Sequence, residues 1–413
     1  MATASKIEDE RRQNLSREAQ FLLLSASVAN EADRVAHARA LAADGLDWAL
    51  IARIAPRQAM MPLAYRFANA VAGGGSEASA LMRREFQGNA LRNMQVVREL
   101  ERLLVALERR GITPIVLKGP ALAVRAYGHL AMRQFTDLDL LVPEHDASAA
   151  IAALNEAGYD ALYRHTAQRA GRSSVFEATL RNPAALCDVD LHWRLNASHF
   201  APAPEGAALW DRSAEIDFGV RRARCLSVED ELLYLCAHGA KHGWQTISGI
   251  ADLAHLIAGW AVDWDAIVAR ADAAEGRRTL LLGVLMANRL LDAAVPKEIV
   301  AEAARDPAVT LASTIFRRYF AALSGERPGL YQRWTIPALM ADGWRARLRY
   351  AAGRTFVPTE DDEGFMRLPR ALFALYYVIR PLRLAASRAP QLFERRPSEP
   401  AGDDARGGGR GHR

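Results

Sequence analysis

Cysteine is scarce: Cys187, Cys225 and Cys236 are the only three in 413 residues. An odd count without CxxC spacing indicates neither a disulfide framework nor a cysteine zinc site, and suits a reducing compartment, the cytoplasm. Long apolar runs are missing as well. No stretch approaches the ~20 residues that span a bilayer, so no transmembrane segment is expected. The opening MATASKIEDERRQNLSREAQ is too charged for a signal peptide. Lysine is rare, with only Lys6, Lys118, Lys241 and Lys297 among 53 basic residues. There is no internal repeat and no basic stripe interleaved with aromatics. The net charge of +5 and pI near 9.2 therefore suit an NTP, RNA or an anionic membrane surface without selecting one.

What is present is ordinary globular composition, 50% hydrophobic and 24% charged, in a chain long enough for two or three domains. One run is unusual. Between Ile115 and Val142, IVLKGPALAVRAYGHLAMRQFTDLDLLV places Asp137 and Asp139 inside an otherwise apolar strand. Two residues apart, they leave the same face, while Leu138 and Leu140 leave the other. Buried carboxylates are costly without partners, and a hard divalent cation such as Mg²⁺ (or Mn²⁺) accepts two convergent oxygen ligands. Upstream, Ile115 to Leu117 read as a buried strand, Lys118-Gly119 as a tight turn and Pro120 as the start of a helix reaching about Gly128. The amides that open such a helix seat phosphate, and Lys118 adds a full charge there.

A third acid is expected from LCDVDLHW, residues 186–193. Its alternation puts Asp188, Asp190 and His192 on one face. Asp190 is the favoured third ligand; Asp188 stays open. Residues 15–110 read as helices, and an amphipathic helix from Asp146 to Glu156 follows the DxD strand. Two strands flank the Asn182-Pro183 turn. Ser227 opens a further helix with a capping-box-like signature, carrying His238 and His242 on one face. That HxxxH spacing lacks the glutamate of a zinc protease motif. The aromatic and basic stretch around Arg380, Arg383 and Arg388 has the pattern of an interfacial helix or of a bundle-closing one. Residues 396–413 are polar and glycine-rich, a disordered tail.

The pattern LKGPAL, then YG, then RxxxDxDLLV, then DxDLHW resembles the bacterial uncharacterised nucleotidyltransferase family of the DNA polymerase beta-like superfamily. The resemblance extends over residues 20–390 and is strongest from Gly111 to Arg194. It implies an α/β (α+β) architecture: a helical N-terminal domain at 1–110, a small mixed-sheet core at 111–200 and a helical C-terminal domain at 201–395. It further implies transfer of a nucleoside monophosphate from an NTP to an acceptor hydroxyl by two metal ions, with Asp137, Asp139 and Asp190 as ligands. Lys118 and Gly119 stand where the superfamily has Gly-Ser or Gly-Gly. Arg133 is a second cation for phosphate. The C-terminal helix is expected to cover the strands with His238, His242 and Asp252 facing the cleft, bordered by His192; Lys241 and Trp244 are further candidates to hold a base or acceptor. The acceptor is left open among a small molecule, a peptide or protein, and RNA. The alternative is a non-catalytic nucleotide-binding or membrane-associated helical module.

Overall fold

The computed structural model describes residues 15–162, 176–196, 206–219, 221–244, 246–321 and 330–393. The tail expected at 396–413 lies outside them. Two compact units divide between Gly353 and Arg354.

The first unit opens with helices α1 (Arg17–Ala26), α2 (Glu31–Ala43), α3 (Trp48–Ile54), α4 (Met61–Ala72) and the long α5 (Glu77–Glu108). Each start has a local cause. Ser16, Asn30, Asp47 and Ser76 accept from amides of the first turn, and Pro62 sits where no amide partner is needed. After α5 come β1 (Ile115–Leu117), α6 (Gly119–Tyr127), β2 (Asp137–Leu141), α7 (Ala147–Glu156), β3 (Asp160–Ala161), β4 (Glu177–Arg181) and β5 (Asp188–His192). Next are α8 (Ala208–Arg212), the hairpin β6 (Ala214–Asp217) and β7 (Arg222–Cys225), then α9 (Val228–Lys241) and α10 (Ile247–Gly259). The unit continues through α11 (Trp264–Ala273), α12 (Arg277–Leu291), α13 (Lys297–Arg305), α14 (Pro307–Ala321), α15 (Leu330–Met340) and α16 (Gly343–Phe356), within whose last turn the boundary falls.

The seven strands form one mixed sheet in the order β3-β4-β5-β2-β1-β7-β6. β2 and β5 run parallel in the centre with Asp137 opposite Asp188 and Asp139 opposite Asp190. β4 joins β5 antiparallel, so Glu177, Thr179 and Arg181 share the face of His192, Asp190 and Asp188. Every second residue goes the other way. Val116, Leu138, Leu140, Val189, Leu191, Ala178 and Leu180 are buried with Val97, Leu100 and Leu104 of α5 and Ile151 and Leu154 of α7. Burying a Leu or Val side chain contributes roughly 1.5–3 kcal/mol, which pins the register and so forces the acids onto the opposite face.

On that opposite face, Tyr234 and Ala237 of α9 pack with Ile115, Leu117 and Leu141. A separate, larger core unites α1, α4, α9, α10 and α12. No helix among the described residues is long and apolar enough to cross a membrane.

The second unit contains α17 (Glu360–Phe365), a 3₁₀ turn at Arg370–Leu375 and α18 (Tyr376–Phe393). Arg380 and Arg383 belong to α18. Both reach Asp362, at 2.7 Å each, while Val378 and Leu382 are exposed. The side chain of Arg388 lies outside the described residues.

Candidate active site

The site is built at the ends of β2 and β5 and under α9. A cavity of about 400 Å³ is lined by Lys118, Gly119, Arg133, Asp137, Asp139, Glu177, Asp190, His192, Tyr234, His238, Lys241 and His242, among others. A second hollow of about 500 Å³ shares Thr136, Asp137 and Asp190 with it and continues past Thr179, Arg181 and Asp188. Asp137 and Asp190 thus stand on the wall between two hollows, and Asp139 faces the first.

Asp139 is the best compensated of the three. Lys118 Nζ and His192 Nε2 each lie 3.1 Å from its Oδ1. Burial alone would raise its pKa, but Lys118 and the His192 hydrogen bond outweigh that and hold it well below the usual carboxylate range. Lys118 shows the reciprocal effect: burial opposes its charge, yet Asp139 prevails and the ammonium is held protonated. Asp137 and Asp190 are pushed the other way. Burial is the leading cause for both, with the charge of Asp139 adding to it, and Asp190 rises to about 6. Thr179 donates to Asp190 Oδ1 at 2.7 Å, and among the described residues Asp137 has only its own backbone amide.

Lys118 owes its position to an unusual backbone. With φ 40° and ψ −132° it occupies a region costly for a side-chain-bearing residue, and it delivers the helix start at Gly119 to the cavity wall. Upstream of β2, the buried Asn89 and Asn93 of α5 donate to the carbonyls of Leu130, Ala131 and Arg133 and clamp the turn entering the DxD strand.

The remaining expected residues separate. His192, His238 and His242 line the cavity, with the His238 and His242 rings 4.5 Å apart. Burial and the neighbouring Lys118 keep His238 neutral by pushing its pKa well below the ordinary value. Arg133 lines the cavity too, but its guanidinium forks onto Asp252 at 3.0–3.2 Å. Asp252 is therefore behind Arg133 instead of in the cleft; it is 1% exposed and also accepts from the Tyr127 hydroxyl at 2.8 Å. Trp244 is in the helical core against Gly239, away from the cavity. Asp188 is forked by Arg181 at 2.6 and 2.8 Å. Glu177, Thr179 and Tyr234 are site residues that the sequence reading did not single out. For the first two the signal was there, since Glu177-Ala-Thr-Leu-Arg181 alternates polar and apolar as the acid strands do.

The donor set fits a hard divalent cation: carboxylate oxygens only, from two neighbouring strands and one face. Asp137, Asp139 Oδ2 and Asp190 Oδ2 carry no side-chain bond among the described residues. Among the described residues no group of three or more His, Cys, Asp or Glu side chains stands so that it could hold a metal ion. Asp139 Oδ1 is turned to Lys118 and His192.

These features define a nucleotidyltransferase-type α/β protein. The chain belongs to the uncharacterised nucleotidyltransferase family, whose profile matches residues 44–292, inside the wider span the motifs suggested. No curated protein matches it. Among solved structures it is similar to the lincosamide antibiotic adenylyltransferase LnuA with lincomycin bound. That similarity has 21% identity, covers 38% of this chain and 94% of that one, and has a TM-score of 0.29.

Proposed function

We propose that the chain transfers a nucleoside monophosphate from an NTP to an acceptor hydroxyl. The supporting observation is the meeting of Asp137, Asp139 and Asp190 in one cavity with Lys118 and the start of α6. The acceptor oxygen bonds to the α-phosphorus, the bond from that phosphorus to the β-phosphate oxygen breaks, and pyrophosphate leaves. Asp190, raised by burial, accepts the hydroxyl proton. Lys118 and the amides that open α6 hold the phosphates, and Arg133, braced by Asp252, supplies a further cation. Mg²⁺ or Mn²⁺ held by Asp137 and Asp190, with Asp139, would act as a Lewis acid on the phosphate oxygens.

The test is incubation of the full chain with α-labelled NTPs and pools of metabolites, RNA and protein. Label should become attached to one pool with an equal amount of pyrophosphate. Asp137→Ala should lower the rate about a thousandfold, the scale of several kcal/mol of charge stabilisation. Equal turnover by Asp137→Ala would reject the reading. Tight nucleotide binding without pyrophosphate release would favour the non-catalytic alternative.

A further inference from the structure

We infer that Lys118 takes the place of one of the two cations that nucleotidyl transfer of this kind pairs at its carboxylates, so that the site binds a single divalent ion with its nucleotide. This rests on the nucleotidyl-transfer reading above and sharpens it.

The first ground is occupancy. Lys118 Nζ and His192 Nε2 both lie 3.1 Å from the same oxygen, Asp139 Oδ1. A carboxylate oxygen has two lone-pair sites, and here both face a donor. That oxygen has none left with which to bridge two metal ions. The second ground is permanence. The Lys118 and Asp139 side chains are 12% and 5% exposed, and the ammonium also sits 5.6 Å over the Tyr234 ring. A long lysine in water surrenders rotamer entropy to hold such a position, so the enclosure matters.

The third ground is the backbone. A non-glycine residue at φ 40° is strained and persists where the surroundings over-determine it. The turn that carries the strain is the one that aims Lys118 at Asp139. A glycine here would remove the strain together with the cation, and a serine would remove the cation alone.

The fourth ground is contrast. Asp137 and Asp190 have no lysine or arginine within ion-pair distance among the described residues; a hydroxyl and a backbone amide are their partners. The carboxylates that lack a cation are thus a pair on neighbouring strands lining one cavity, and two carboxylates suffice for one ion that keeps its waters and binds the nucleotide's phosphates. A compact ammonium can lie against phosphate oxygens and a carboxylate together as a metal ion does, without needing octahedral coordination.

The experiment counts metal. Native mass spectrometry of the full chain with Mn²⁺ and α,β-methylene-ATP, which cannot release its nucleoside monophosphate, should show one Mn²⁺ in the ternary complex. Two ions per chain with the analogue bound overturns the inference. Lys118→Met, which keeps the length and loses the charge, should carry two ions, and its Mn²⁺ affinity without nucleotide should rise at least tenfold. A folded Lys118→Met chain that binds the analogue with one ion also overturns it. Should that variant not fold, the parent's count decides. Failure of the parent to bind the analogue at all, with or without Mn²⁺, instead rejects nucleotidyl transfer itself, and the lysine assignment with it.

Discussion

Arg133 illustrates what a single side chain contributes. Its Nε and one Nη are committed to Asp252, which Tyr127 also bonds, and Arg133 lines the cavity. The fork fixes a plane, which lysine cannot do. Arg133→Lys keeps the charge but loses the fork, so KM for the nucleotide should rise about tenfold with kcat less affected, as for a lost charge-assisted hydrogen bond. Unchanged KM in steady-state kinetics would make Arg133 a brace for Asp252 only. At this scale the sequence showed much of the site. Asp137 and Asp139 stand out because alternation makes polar residues in a buried strand conspicuous. The sequence favoured Asp190 without excluding Asp188, since the two share a face; in the structure Arg181 of β4 forks onto Asp188, while Asp190 lines the cavity. Asp252 was read as cleft-facing because nothing local reveals that Arg133 stands in front of it.

Among the elements, α9 carries the most constraint. One side supplies Tyr234, His238 and Lys241 to the cavity, and the other supplies Leu232, Leu233 and Cys236 to the helical core. Gly239 is where Trp244 turns back on the helix: a Cβ there would lie 2.6 Å from the indole ring. That ring is 2% exposed and has nowhere to swing. Gly239→Ala should therefore destabilise the protein by about 1–3 kcal/mol, the usual cost of overpacking, measured by denaturant unfolding. A neutral or stabilising result would mean that the 242–244 turn yields easily. The helices and central strands were readable because their periodicities are local. The β6–β7 hairpin was not. Arg-Ala-Arg-Cys looks like surface, and only pairing with β1 at Ile115 and Arg224 makes it part of the sheet.

For the whole molecule, the sheet is the device that turns a sequence pattern into a site. Apolar residues of β2, β4 and β5 are held by α5 and α7, so their polar neighbours emerge together beneath α9. The fold class and the family both followed from the motifs between Leu117 and Trp193, which lie inside the matched residues 44–292. The central claim is that Asp137 and Asp190 meet closely enough to hold a divalent ion beside Lys118. An anomalous difference map from crystals grown with Mn²⁺ and α,β-methylene-ATP tests it most directly. The expected result is a peak at about 2.1 Å from carboxylate oxygens of both residues, the distance of a small hard cation. A nucleotide-bound crystal whose Mn²⁺ peak lies away from either carboxylate would contradict it.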